Sequence, residues 1–455
     1  MILRFWVRAR HKTNRSLRAP IHPRSLRCAS LKYPKYSCVG APCERGASAP
    51  SLARLVLCRA LTTSLILLSS LATGTPPPAT GISAYSTPPA APAPRWTGLA
   101  VQAWFQENHL PGIIPDARLD RVAVLNSVAL AEVGPEVPAG SETYLRFLLT
   151  RHRIREAVIQ AKAFRYQSLS ELKRGIGSFL TERAVGGGFT HFGIGFSRIP
   201  AAGDGGINGS SRTMTLILVR RKVQITWIRA VPGSPLDLCV EMLSGSQPRV
   251  LVTTPQGRVI QRNPLISRGQ RTFCARMPHT VQPGRYQIEL MVEDRYGLEV
   301  AALFPLFIGI PPPTQPVQKI YPPIRAHRNA VEERLLSLLN ASRQAAGVRS
   351  LRPSAGLAAV ARAHSADMQR RGFFGHRSPR NGDLARRLAF AGLNHFASAS
   401  ENLVLSTGPV KAHESLLDSP SHRHNMLDPH LTHVGIGVAF DRPQGLFYVT
   451  QCFAR

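Results

Sequence analysis

Eight of the fifteen histidines lie between residues 364 and 433: His364, His376, His395, His413, His422, His424, His430 and His433. Imidazole serves both general acid–base work near neutral pH and zinc ligation, so chemistry is expected first in this segment. The familiar spacings for such chemistry fail here. His413-Glu414 opens like the helix motif of zinc hydrolases, but Leu417 stands where the second histidine ligand is needed. No glycine-rich phosphate loop and no Cys-x-x-Cys pair occurs. Cys452, next to Phe453 in a β-prone run, reads as a packed core thiol and not as a nucleophile.

The elements that must position these residues show two periods. Val331, Leu335, Leu338, Leu339 and Val348 share one helical face, and Asn329 stands as an N-cap with Glu332 three residues on. Residues 446–453 (LFYVTQCF) read as a strand, as do 216–219 (LILV). Residues 190–197 (THFGIGFS) and 432–439 (THVGIGVA) match closely. Upstream, Leu119, Val122, Ala123, Asn126 and Ser127 align with Leu357, Val360, Ala361, His364 and Ser365 at a nearly equal offset. We read residues 96–222 and 324–455 as two copies of one α+β domain, helices first and sheet last.

The ordered segments Leu338-Leu339-Asn340, His364-Ser365-x-Asp367-Met368 and Phe373-Phe374-x-His376-x-Ser378-Pro379 carry a resemblance. So do Ala391-Gly392, Glu401-Asn402-Leu403, Ser419-Pro420-Ser421-His422-Arg423-x-Asn425-Met426-Leu427 and 432–437. Over roughly residues 330–455 the chain resembles a bacterial CAP domain, the SCP-like superfamily of cysteine-rich secretory, antigen 5 and pathogenesis-related 1 proteins. The resemblance implies an α-β-α sandwich with a surface cleft of two histidines and an acid, which fall on His376, His422 and Glu401. It implies either a divalent metal, zinc, held by those three with a position open for water, or a metal-free cleft that binds a polar ligand group. The animal members' second acid would fall just before Ser419. Asp418 is one step off, which weakens a hydrolytic reading.

The remaining histidines read as structural: His364 as a packing or cap residue, His395, His424 and His430 as loop or surface residues. His433 has a counterpart, His191, in the first copy. That copy keeps the hydrophobic matches and loses the polar ones. Asn126 stands where His364 does, no histidine occurs near 134–138, and 161–163 and 181–183 fill the neighbourhoods of Glu401 and His422. Residues 96–222 are therefore expected to be a degenerate CAP-like domain.

Between the copies, the β-prone runs 223–228, 236–243, 250–254, 259–261, 272–277, 286–292 and 300–308 alternate with turn signals such as Pro283-Gly284. Seven short strands over 223–310 suggest an all-β sandwich of immunoglobulin-like type. Cys239 and Cys274 fall in two of them, either as a disulfide or as a buried thiol pair. A proline-rich linker, 311–323, follows.

The chain has 57 Lys+Arg against 26 Asp+Glu, a net +31, which invites a nucleic-acid reading. Residues 1–60 alone carry 13 Lys+Arg and one acid, Glu44, and aromatics are only 7%, too few for a basic stacking face. An apolar run at 61–72 behind Arg54 and Arg59, ending in small residues, describes a secretory signal over 54–74. Residues 1–53 then read as an over-extended or disordered start, and 75–95 as a Pro/Ala-rich tether. These features point to a secreted or cell-envelope protein, with no transmembrane helix in the mature chain. Its cleft is expected to engage a lipid, a wall component or another protein. A metal- or His/Glu-dependent hydrolase, protease-like, is the second reading, with no catalytic residue assigned. Nucleic-acid binding ranks last.

Overall fold

The computed structural model describes residues 95–133, 142–183, 187–197, 212–264, 270–317, 321, 327–441 and 445–455. The expected basic start, signal and most of the tether lie outside these residues. Among the described residues, no helix is long and apolar enough to cross a membrane.

In the carboxy-terminal domain, helices α5 (Arg328–Ala345), α6 (Ala355–Arg371), α7 (Leu384–Phe390), α8 (Pro409–Asp418) and α9 (Pro420–Leu427) flank one sheet. Its strands are β12 (Arg352–Pro353), β13 (Ala399–Ser406), β14 (His433–Asp441) and β15 (Leu446–Ala454), in the order β12-β14-β15-β13. The central strand β15 is buried along its whole length, as a strand covered on both faces must be. Val331, Leu335, Leu339, Ile436 and Phe453 share the core on one side, and Leu357, Ala361, Leu388 and Cys452 share another cluster.

Helix α5 corrects one expectation. His327, not Asn329, occupies its N-cap, without a side-chain bond. Glu332 is buried instead of closing a capping box: its carboxylate takes Arg362 Nη2 at 2.6 Å and the Val438 backbone N–H at 3.0 Å, tying α5 to α6 and β14.

The paired glycines of the GIG motif are a packing requirement. A Cβ on Gly435 or Gly437 would lie closer than 3.0 Å to the backbone of α6, at Leu357–Ala358 and Ala361–Arg362. Helix and strand touch backbone to backbone there. Ser365 Oγ seals the contact with bonds to Gly437 O (2.9 Å) and Thr450 Oγ1 (2.8 Å).

The amino-terminal domain repeats this geometry. It contains α1 (Arg95–Glu107), α2 (Ala117–Val133), α3 (Glu142–Arg151) and α4 (Leu169–Arg183). Its strands are β1 (Ile114–Pro115), β2 (Val158–Tyr166), β3 (His191–Phe196) and β4 (Arg212–Arg220), in the order β1-β3-β4-β2. The β1–β3 pair is parallel, as is β12–β14. Gly193 and Gly195 press on α2 as Gly435 and Gly437 do on α6. Ser127 Oγ bonds Gly195 O at 2.9 Å and Thr215 Oγ1 at 2.8 Å, the same distances as its counterpart Ser365.

Seven strands lie between the two domains: β5 (Val223–Arg229), β6 (Pro235–Met242), β7 (Ser246–Thr253), β8 (Val259–Arg262), β9 (Thr272–Thr280), β10 (Gly284–Asp294) and β11 (Gly297–Ile308). They form two sheets, β11-β10-β7-β8 and β5-β6-β9, around one apolar core. Cys239 and Cys274 are cross-strand partners joined by a disulfide. Strand β10 alternates: Ile288, Leu290 and Val292 enter the core, while Gln287, Glu289, Met291 and Glu293 line the opposite face.

This sandwich is fused to the amino-terminal domain. Ala157 N–H bonds Ala301 O (3.2 Å) and Leu303 N–H bonds Arg155 O (2.9 Å), so residues 155–157 pair with the edge of β11. Ala157, Leu251, Met291 and Val300 share a small apolar cluster. Arg220, Arg221 and Lys222, at the β4–β5 junction, are neutralised by Glu299, Glu156, Asp116 and Asp294.

Candidate functional site

The His376 position follows from how α6 ends. Gly372 at φ 64° closes the helix in the left-handed conformation, its N–H on Met368 O. The chain then buries Phe373 and Phe374, and His376 emerges two residues later. Ser378 Oγ donates to Asp367 Oδ2 (2.6 Å) and accepts from the Arg380 and Asn381 N–H groups, fixing the next turn. Asp383 caps α7 by accepting from Arg386 N–H at 3.0 Å. One turn into that helix is Arg387.

Arg387 is the residue the sequence reading missed. Its Nη1 donates to Glu401 Oε2 at 2.7 Å and its Nη2 to Glu401 Oε1 at 3.1 Å, a two-pronged ion pair. Nη2 also reaches His376 O at 3.0 Å. Both partners are buried, Arg387 6% exposed and Glu401 8%. His376 Nδ1 lies 2.9 Å from Glu401 Oε1. A carboxylate only accepts, so Nδ1 carries the hydrogen and Nε2, across the ring, is left for a ligand. A signal for Arg387 did exist: a buried acid needs a cation, and Arg386-Arg387 sits on the only short helix between His376 and Glu401.

His364 belongs to the same cluster as a supporting residue. Its Nε2 bonds Gly375 O at 3.0 Å and lies 3.9 Å from Glu401 Oε1, and the residue is 1% exposed. Burial pushes its pKa down to about 4, against the pull of the Glu401 charge. Burial pushes the Glu401 carboxyl up, but His364, Arg387 and the hydrogen bonds from His376 and Arg387 outweigh it and hold it well below the carboxylate range. Because His364 is neutral at pH 7, Arg387 is the charge that keeps Glu401 ionised there. Cys452, fully buried beside Glu401 and pushed up by that burial, stays a thiol.

His422 sits in the first turn of α9. Asn402 Nδ2 bonds its carbonyl at 3.1 Å, and Asn425 Nδ2 holds Asn402 Oδ1 at 2.9 Å. The ring is buried, and burial, with His376 nearby, pushes its pKa down to about 3. His376 and His422 line one cavity of about 30 Å³, but no hydrogen bond joins the His422 ring to Glu401 or His376 among the described residues.

These residues do not fit a divalent ion. Glu401 has both oxygens on Arg387, and a buried guanidinium within 3.1 Å of the carboxylate opposes a second cation. Among the described residues no group of three or more His, Cys, Asp or Glu side chains is placed to share one. Of the three residues expected to share a metal, His376 and Glu401 form a hydrogen-bonded cluster with Arg387, and His422 lies beside it on the same cavity.

The other histidines lie elsewhere. His413 is buried between α5 and α8, its Nε2 2.8 Å from Ser342 Oγ. His433 Nδ1 meets Thr432 Oγ1 at 2.9 Å, and His191 Nδ1 meets Thr190 Oγ1 at 2.9 Å, one pairing in both domains. In the amino-terminal domain the strand register puts Ala161, opposite Ile217, where Glu401 stands opposite Cys452. Asn126 there bonds Thr215 Oγ1 at 3.0 Å.

Residues 336–453 match the Cysteine-rich secretory protein family, CAP. The chain is 33% identical over 110 residues to the uncharacterized protein YkwD of Bacillus subtilis, covering 24% of this chain and 42% of that one. It is 36% identical over 126 residues to the uncharacterized membrane protein YlbC of the same organism, covering 27% and 34%. It thus spans less than half the length of these curated relatives. A solved extracellular protein containing a SCP domain, from Bacillus anthracis, is 18% identical, with a TM-score of 0.27 over 50% of this chain and 88% of that one. Together with the segment order and the sheet described above, the match establishes that the carboxy-terminal domain, residues 336–453, is a CAP domain of the cysteine-rich secretory protein family.

Proposed function

We propose that this is an extracellular or cell-envelope binding protein whose CAP domain presents His376, backed by Glu401 and Arg387, to a lipid, wall component or protein of the cell surface. One observation carries the reading: the Glu401 carboxylate is committed to Arg387 and His376. An ion-paired, buried carboxylate orients an imidazole well but is a poor general base and a poor metal ligand. The Cys239–Cys274 disulfide and the signal pattern at 54–74 support an oxidising compartment. In this reading the central sandwich is an immunoglobulin-like spacer and residues 96–222 are a degenerate CAP-like domain. The shared strand order supports the latter, as does Ala161 at the Glu401 register position.

The test is retention of the intact chain on purified peptidoglycan and on anionic lipid vesicles, with and without His376→Ala. The variant is expected to lose about tenfold or more in affinity on the preferred probe, the loss of one central polar contact. Equal retention of both proteins on both probes removes the reading. Ester or peptide hydrolysis that Glu401→Gln abolishes replaces it with the hydrolase.

A further inference from the structure

The face of the CAP domain that carries His376 is covered by the chain's own central sandwich. The cavity at His376 and His422 is lined by Met291, Leu298, Glu299 and Val300 from β10 and β11, and by Val158 of β2. The tip of that hairpin reaches the site itself. Asp294 Oδ1 takes the Tyr296 N–H at 2.7 Å and Gly297 turns at φ 96°, which places Gly297 against His376 Cβ. Tyr296 stacks on Phe373, and its carbonyl accepts the Arg377 N–H at 2.9 Å. His376 keeps only 28% of its side chain exposed.

We propose that the β10–β11 hairpin is a cis-acting cover of the His376 cleft, and that it lifts as one body while both domains stay folded. The composition of the joint carries this. The outward face of β10 is Gln287, Glu289, Met291 and Glu293, the alternation of a strand whose far side meets water. Opposite it the CAP domain also presents polar groups. Glu289 Oε2 accepts from Ser419 Oγ at 2.6 Å and from Ser421 N–H at 3.3 Å, standing in for the missing side-chain cap of α9. Arg377 pairs with Glu293 at 3.2 Å, Arg285 with Asp418 at 3.9 Å, and Arg423 Nε donates to Gly257 O at 3.2 Å.

Apolar packing does not weld the two. Tyr296 packs on the Phe373–Phe374 cluster, and Met291, Leu298 and Val300 share the cavity lining with Phe374 and Leu403, but the sandwich core itself contains no CAP residue. The opposite junction, to the amino-terminal domain, has strand pairing and an apolar cluster of its own. Polar joints between domains separate at far lower cost than cores do. The cover rests on the reading of the His376 face as the binding surface. It deepens that reading by making ligand access depend on domain separation.

Hydrogen exchange on the intact chain tests it without any ligand, so its failure is distinct from failure of the binding assay. The Arg377 and Ser421 amides both donate across the joint, on two flanks of the cleft. Both are expected to be protected, to exchange together, and to exchange at least about a hundredfold faster than amides of the central strand β15. Tyr296→Ala is expected to speed both about tenfold or more while β15 is unchanged. Glu289→Ala, at the other flank, is expected to do the same to Arg377 as well as to Ser421. Exchange of both amides at the β15 rate overturns the proposal, since the joint then opens only with unfolding. Exchange at the unprotected rate overturns it too, and so does an effect of each variant confined to its own flank. Where a variant fails to fold, the wild-type comparison of Arg377, Ser421 and β15 still decides.

Discussion

Gly437→Ala is expected to destabilise the CAP domain by about 3 kcal/mol or more, among the largest effects a single methyl group has. Its Cβ would sit closer than 3.0 Å to the Ala361 carbonyl carbon and the Arg362 nitrogen. Those are backbone atoms in the middle of α6, so no side chain can swing aside. Helix and sheet must part, and the Ser365 bonds to Gly437 O and Thr450 Oγ1 break with them. Urea unfolding followed by circular dichroism measures the loss. Gly408→Ala is the control: its backbone is extended at φ −177° and a Cβ there meets nothing within 4 Å. It is expected to cost less than about 1 kcal/mol. A Gly437→Ala variant within that margin of wild type would mean that the contact is looser than described.

The second large effect belongs to Arg387. Arg387→Ala strands an ionised carboxylate in the core and is expected to cost about 3–5 kcal/mol. Pairing it with Glu401→Gln is expected to recover much of the loss, because the orphaned charge goes too. The pH dependence has a definite sign. In the wild-type chain the Glu401 pKa is depressed, so its contribution is present above the unfolded value of 4.5 and is lost as pH falls. His364, His413 and His422 are held to about 4, about 4 and about 3, so the unfolded chain gains protons first and stability falls from about pH 6.5 downward. Without Arg387, burial raises the Glu401 pKa and acid relieves the variant. The gap in melting temperature between wild type and Arg387→Ala is expected to narrow from pH 7.5 to pH 5; a constant gap would show that the charge is not the cause.

The parts legible in the sequence were those set by local rules. The glycine pair, the helix that faces it and the strand that follows recur in both halves, because backbone contact between helix and strand permits so few residues. His376 and Glu401, which the family resemblance placed in one cleft, are in contact at 2.9 Å. A buried acid called for a cation near Glu401, but that Arg387 and not Arg386 supplies it depends on a turn built by Ser378, Asp367 and Asp383, whose geometry no spacing reveals. His364 read as packing and does pack, yet against the carboxylate. The cover was beyond reach: Glu289 with Ser419, Glu293 with Arg377 and Gly257 with Arg423 are separated by 130, 84 and 166 positions. Glu289 and Glu293 share the face of β10 turned away from the sandwich core, and only the assembled chain shows what that face meets.

We propose that His376, backed by the Glu401–Arg387 ion pair, forms a binding face and not a metal centre. Calorimetric titration of zinc into the intact chain at neutral pH, repeated on His376→Ala and His422→Ala, tests it most directly. The same weak heats in all three proteins are predicted, with no component that depends on either histidine. One-to-one micromolar binding in the wild-type chain, lost in both variants, would contradict the claim and return the cleft to metal chemistry.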